Sequence, residues 1–186
     1  MAAATGRSVT ATPWVRSSFG DYSMMRTGLR WLWLTVLVVA IDQLSKILLI
    51  ERLPPFRPVA VLPSLNFLLT YNTGVSFSFL QLSGGWQRWP LALFAIVIVA
   101  VLMRWLARLS QDRRLLGAAV AIVLGGAVGN LIDRVVNGQV TDFIQVYYGN
   151  WSFAIFNLAD AAITVGVALI LLDNLLGGDG RSRQGA

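Results

Sequence analysis

The amino-acid sequence predicts an all-α polytopic membrane protein, with four transmembrane helices carrying a small β-containing cap on the extracytoplasmic side. Three observations predict it. The chain of 186 residues is 56% hydrophobic and only 13% charged, too apolar for an ordinary soluble domain. Four apolar runs approach or reach the roughly 20 residues that cross a hydrocarbon core. Basic residues gather at alternate ends of those runs, as a membrane topology signal requires.

Residues 1–27 are rich in Ala, Thr and Ser and lack apolar periodicity, so they are expected to form a disordered tail. The first span is read as Trp31 to Ile50. Its apolar run exceeds a signal-peptide core and contains Asp42 and Lys46, so it is expected to be retained. From Glu51 to Arg88 the chain is too polar to cross, and Pro54, Pro55, Pro58 and Pro63 interrupt any helix. The following LNFLLTYNTGVSFSFL alternates large apolar with small polar residues, which predicts short strands. The second span, Trp89 to Trp105, is short, and Arg104 is expected to snorkel to the interface. The third runs from Leu115 to Val136 and the fourth from Phe153 to Leu172. The Asn137 to Ser152 loop between them completes the cap, and residues 177–186, rich in Gly and Arg, are expected to form a mobile tail.

Arginines 7, 16, 26 and 30 precede the first span, Arg104, Arg108, Arg113 and Arg114 join the second to the third, and Arg181 and Arg183 follow the fourth. Both termini and the middle loop are therefore expected in the cytoplasm. The tryptophans agree: Trp31, Trp33 and Trp105 fall at the inner ends, whereas Trp86, Trp89 and Trp151 fall at the outer ends. Scattered arginines of this kind suit a topology signal better than a nucleic-acid surface.

The chain has neither Cys nor His. That removes thiol nucleophiles, disulfides, Ser-His-Asp triads and HExxH zinc sites. Any general base must be a carboxylate or Lys46, the single lysine. Carboxylates in or near a bilayer are costly and mark working sites, and three fall in GNLIDR, VTDF and FNLAD, as Asp133, Asp142 and Asp160. Two carboxyls sharing one site divide the labour of hydrolysis, one drawing a proton from water while the other polarises the scissile carbonyl. Asp160, counted from Phe153, would lie about 10 Å deep in the fourth span, and Asp142 would fold back over it from the loop. Asn157 and Asp160, and likewise Asn130 with Asp133 and Arg134, are spaced to share helix faces. Asp133 with Arg134 is read as local support. Asp42 and Lys46, one turn apart, are either a mutually neutralising buried pair or part of the site. Asn72 and Gly74 are candidates to hydrogen-bond substrate backbone, or else end a strand in a plain turn. Gly125 and Gly129 are read as a helix-packing motif.

Five blocks carry a resemblance: DQLSK at Asp42 to Lys46, NTGVSF at Asn72 to Phe77, GAVGNLIDR at Gly126 to Arg134, VTDF at Val140 to Phe143, and FNLAD at Phe156 to Asp160. Together, and in this order, they resemble the bacterial lipoprotein signal peptidase family, signal peptidase II, over about Gly28 to Leu176. The resemblance implies an aspartic endopeptidase of the cytoplasmic membrane that cleaves prolipoproteins just before a diacylglyceryl-modified cysteine. It assigns the catalytic pair to Asp142 and Asp160, and supporting roles to Asp42, Lys46, Asn72, Gly74, Asn130, Asp133, Arg134 and Asn157. Val75 departs from the alanine more frequent after NTG in the family. The expected partners are a diacylglyceryl-prolipoprotein substrate and membrane lipid, with no nucleic acid and a monomeric enzyme. No cofactor and no metal is expected, with a carboxylate-only hard-cation site as the remaining metal alternative.

Two other classes stay in view. A serine-lysine peptidase would pair Lys46 with Ser45, Ser76 or Ser78, but Ser45 points away from Lys46 on a helix and the aspartates would then lack a purpose. An ion-binding bundle or transporter would also hold acids in the membrane, but nearer its midplane and with a visible repeat.

Overall fold

The computed structural model describes residues 28–74, 86 and 88–177; both tails and the strand expected after Gly74 lie outside the described residues. A 3-10 turn at Gly28–Trp31 leads into α1, Leu32–Arg52. A hairpin of β1, Val59–Leu62, and β2, Leu65–Asn72, precedes α2, Arg88–Arg108, and α3, Arg114–Val136. Strands β3, Val140–Tyr148, and β4, Trp151–Ser152, lead to α4, Leu158–Gly177. All four helices are long and apolar enough to cross a membrane.

Helix α3 is the hub, with 67% of its most apolar window buried against 17% for α1, 17% for α2 and 11% for α4. Its run GAAVAIVLGGAVG explains this. Lipid tails are as apolar as leucine, so helices associate in a bilayer through close packing, which small residues permit. A Cβ on Gly125 would lie 2.7 Å from the Cβ of Val38, and one on Gly129 would lie 2.6 Å from Oδ2 of Asp42. Both glycines of the small-xxx-small motif thus let α1 approach α3. Outward faces of the other helices stay apolar and exposed, as at Leu37, Ile41, Leu44 and Leu48 of α1 and Phe94, Val97 and Val101 of α2.

One end of the bundle is pinned by loop contacts. The Gly28 N–H donates to Leu109 O at 3.1 Å, Arg30 donates to Gln111 O at 2.9 Å, and Arg113 pairs with Asp173. Asp173 is therefore held at the foot of α4.

The opposite end carries an antiparallel four-stranded sheet in the order β1-β2-β3-β4. Thr70 stands opposite Asp142 and Asn72 opposite Val140. Sequence reading expected β2 but treated β3 as loop. VTDFIQVYY is rich in β-branched and aromatic residues and pairs on one edge with β2, from distant chain, and on the other with β4, two residues further on.

The start of α4 also corrects the sequence reading. Phe156 forms a bridge with Ile144, its N–H donating to Ile144 O at 3.1 Å and its O accepting from Ile144 N–H at 2.8 Å. Backbone committed to the sheet cannot be helical, so α4 begins at Leu158 rather than Phe153. Asp160 accordingly lies in the first turn and not two turns into the span.

Candidate active site

The residue after the last sheet contact caps the helix. Asn157 Oδ1 accepts from the Asp160 N–H at 3.0 Å, and Asp160 Oδ2 accepts from the Asn157 N–H at 3.2 Å. This reciprocal arrangement is a capping box, with Asn and Asp in the places usually taken by Ser or Thr and Glu or Gln. Asn157 is therefore the cap of α4 and not a member of its face, which corrects the shared-face reading. The cap leaves the amide nitrogen of Asn157 free to donate outward, and it does so to Asp142 Oδ1 at 2.6 Å and to Asn130 Oδ1 at 3.1 Å. Asn130, on α3, donates in turn to Asp160 Oδ1 at 2.7 Å. One asparagine thus touches both aspartates, and a second orients Asp160.

Asp142 sits in β3 with 2% exposure. Its second oxygen accepts from Asn72 Nδ2 at 3.1 Å. Asn72 can point that amide at Asp142 because its Oδ1 accepts from the Gly74 N–H at 2.8 Å, an Asx-type turn that Gly74 completes with φ +77°. Sequence reading offered Asn72 and Gly74 to the substrate backbone or to a plain strand-ending turn; in the structure the two form a turn that aims the Asn72 amide at Asp142. Burial pushes the Asp142 carboxyl above the usual aspartate range; the Asn72 and Asn157 donors pull it back, and the charge of Asp160 adds to the rise.

A second cluster lies beside this one and is built differently. Lys46 Nζ bridges Asp42 Oδ2 at 2.7 Å and Asp133 Oδ2 at 2.9 Å, and all three side chains are at most 3% exposed. The buried pair read from the sequence is thus a triad. Gln43 Nε2 donates to Asp42 Oδ2 at 3.1 Å, to Asp133 Oδ1 at 3.0 Å and to Gly129 O at 3.2 Å. Asp133 Oδ2 also accepts from the Thr141 N–H at 3.1 Å, and Asp42 Oδ1 accepts from the Ala159 N–H at 3.0 Å. Among the described residues no buried side-chain nitrogen or oxygen lacks a partner.

Arg134 does not pair with Asp133, its neighbour in sequence. It is half-buried, donates to Asn130 O at 3.1 Å, and lines a cavity of about 360 Å³ between α2, α3 and α4. Asp160, Asn130 and Arg134 form the polar end of that cavity, while Leu91, Phe94, Ile98 and Ile163 contribute apolar wall. The structure therefore gathers Asp142, Asp160, Asn72, Gly74, Asn130 and Asn157 into one group and Asp42, Lys46 and Asp133 into the adjoining one. Arg134 stands at the cavity. Gln43 was missed by sequence reading; the available signal was a polar residue inside a span, next to Asp42.

Comparison with known proteins places the chain by sequence and by fold. The family model described as Signal peptidase (SPase) II matches residues 34–176. The lipoprotein signal peptidase of Pseudomonas syringae pv. tomato is 53% identical over 147 residues, which span 78% of this chain and 85% of that protein. The lipoprotein signal peptidase of Alteromonas mediterranea is 41% identical over 158 residues, 85% of this chain and 87% of that protein. A bacterial membrane enzyme solved by the in meso method at 2.3 Å resolution superposes with a TM-score of 0.70 at 29% identity, covering 84% of this chain and 93% of that one. A second, solved at 1.9 Å, gives a TM-score of 0.68 at 30% identity over 77% of this chain and 90% of that one. The fold is thus shared with bacterial membrane enzymes, and by the family model and the curated relatives the chain belongs to the signal peptidase II family.

Proposed function

We propose that this multi-pass membrane enzyme processes lipoproteins by aspartic chemistry, cleaving a prolipoprotein just before its diacylglyceryl-modified cysteine with Asp142 and Asp160 as the catalytic pair. The observation that carries this reading is that both aspartates are held by neutral amide donors alone, Asn72 and Asn157 on one and Asn130 on the other. No direct ion pair ties up either carboxyl among the described residues, so each remains able to exchange a proton.

Asp142, whose carboxyl burial pushes upward, holds the shared proton and donates it toward the scissile carbonyl oxygen. Asp160 takes a proton from water as the water oxygen attacks the carbonyl carbon. Collapse of the tetrahedral intermediate breaks the C–N bond, the leaving amine of the lipidated cysteine takes the proton from Asp160, and the carbonyl re-forms as Asp142 recovers its own. The product is a carboxyl-ended signal peptide and a lipoprotein with a free amino terminus.

The cavity between α2, α3 and α4 suits such a substrate. Its apolar walls lie on the sides of helices whose outer faces are exposed, so diacylglyceryl chains can enter sideways from lipid while the peptide bond meets Asp160, Asn130 and Arg134. The orientation that accompanies this reading puts both termini in the cytoplasm and the sheet on the outer face, supported by the arginine distribution. The enzyme is proposed to act as a monomer without cofactor or metal.

The test is cleavage of a diacylglyceryl-modified prolipoprotein by purified protein, beside the unlipidated substrate. Cleavage restricted to the lipidated form, and lost in Asp142→Asn, is the expected result. Equal cleavage of both substrates, or full activity in the variant, would overturn the reading. Orientation is checked by placing one cysteine in residues 178–186 of this cysteine-free chain: an impermeant thiol reagent applied outside intact cells should leave it unlabelled.

A further inference from the structure

The ion-bridged cluster is attached to the proposed catalytic pair at two matching points. Asp133 accepts the N–H of Thr141, the residue before Asp142, and Asp42 accepts the N–H of Ala159, the residue before Asp160. Each aspartate therefore hangs one residue beyond an amide gripped by a buried carboxylate. The grips come from different helices, α3 and α1, and the amides belong to different elements, β3 and α4. What joins grip to grip is Lys46, at 2.7 and 2.9 Å, and Gln43, at 3.1 and 3.0 Å.

We infer that Lys46 and Gln43 form a yoke that sets the separation of Asp142 and Asp160, and that Gln43 is a positioning residue for the proposed reaction; this rests on the reading of those two aspartates as the catalytic pair. Lys46 supplies the charge that lets two carboxylates be buried together. Gln43 supplies direction. All of its partners, Asp42 Oδ2, Asp133 Oδ1 and Gly129 O, are acceptors, so its amide nitrogen has only one sensible orientation, and it pulls Asp42 of α1 and Asp133 of α3 toward one point. Without it Lys46 still neutralises and Asp42 stays held at both oxygens, by Lys46 and by the Ala159 N–H, but Asp133 keeps bonds at Oδ2 alone and loses the donor that fixes its Oδ1. Rotation of Asp133 carries Thr141 and then Asp142, while Asp160 stays anchored through Ala159, so the separation of the pair changes. Two carboxyls divide the acid and base roles only at a set separation, so the yoke also shapes the pH–rate profile of the reaction.

The experiment measures kcat and KM against pH on diacylglyceryl-prolipoprotein for the parent, Gln43→Met, Gln43→Glu and Leu106→Ala. Leu106 is fully buried at the other end of the bundle and controls for lost stability alone. Gln43→Met keeps the size and loses the donors. It is expected to lower kcat about 10- to 100-fold, the usual cost of losing an outer support, with KM nearly unchanged and the separation between the acid and alkaline limbs of the kcat profile altered. Leu106→Ala is expected to lower the melting temperature and leave both limbs in place. Gln43→Glu can donate only when protonated, so its rate relative to the parent should rise as the pH falls. Parental limbs in Gln43→Met, with a kcat loss no greater than in Leu106→Ala, would overturn the yoke. Should Gln43→Met fail to fold, a Gln43→Glu ratio that is flat with pH would overturn it equally. A parent unable to cleave the lipidated substrate would overturn the catalytic reading instead.

Discussion

Two pairs of aspartates lie side by side at the sheet end of the bundle, and they are held in opposite ways. Asp42 and Asp133 share the ammonium of Lys46 and are almost fully buried. Asp142 and Asp160 receive hydrogen bonds from asparagine amides and from the backbone N–H of Asn157. A full counter-charge makes burial tolerable, which suits a brace. Neutral donors orient a carboxylate while leaving its proton negotiable, which suits an acid-base pair. The same residue type is thus divided between scaffold and chemistry by the charge of its partner.

That division can be broken most sharply at the amide-held pair. Asp142→Asn and Asp160→Asn should each lower cleavage by about 1,000-fold or more, since one carboxyl supplies the acid and the other the base, while both proteins still melt cooperatively in detergent. The opposite signature belongs to the brace. Lys46→Met leaves two buried carboxylates facing each other without compensation and should lower stability by about 3 kcal/mol or more, seen as a fall in melting temperature and in yield of folded protein. Retained stability in that variant would erase the contrast.

Asn157 belongs to both functions and should show both effects at smaller size. Asn157→Ala removes the cap of α4, worth about 1 kcal/mol, and one donor to Asp142, so a modest fall in melting temperature should accompany a larger fall in kcat. Acid titration sharpens the comparison further. A carboxyl raised above its unfolded value binds its proton more readily when folded, so stability is greatest at low pH and declines as the pH rises from the ordinary aspartate range through the raised value. Asp142 is such a group. Across mildly acidic pH the parent should therefore lose stability relative to Asp142→Asn as the pH is raised; parallel melting curves would contradict it. Least of all, a chelator should leave the rate unchanged, and activity lost to chelation and restored by a divalent ion would contradict the metal-free proposal.

Much of this was legible in the sequence because membranes impose long apolar runs and make every buried charge conspicuous. The spans, the strand at Leu65–Asn72 and the acidic residues near one end could be read directly. The start of α4 could not, because Phe153 to Phe156 is as apolar as the helix beyond it and only pairing with β3 shows where helix begins. Asn157 followed three residues later by Asp160 was a capping signal that spacing alone allowed to pass for a shared face. Partner choice was the deeper obstacle. Asp133 and Arg134 are adjacent in sequence, yet neighbours on a helix do not face each other, and Asp133 finds Lys46 on another helix while Arg134 turns to the cavity. Gln43 was passed over for the same reason, since two of its three partners, Gly129 and Asp133, come from α3.

The most direct test of this division is turnover per folded molecule, measured by gel shift on diacylglyceryl-modified prolipoprotein for the parent and Asp160→Asn after each has been quantified by its melting transition. The account predicts that the variant melts as a folded protein and leaves the lipidated substrate uncut. A folded Asp160→Asn protein that cleaves at the parental rate would contradict it.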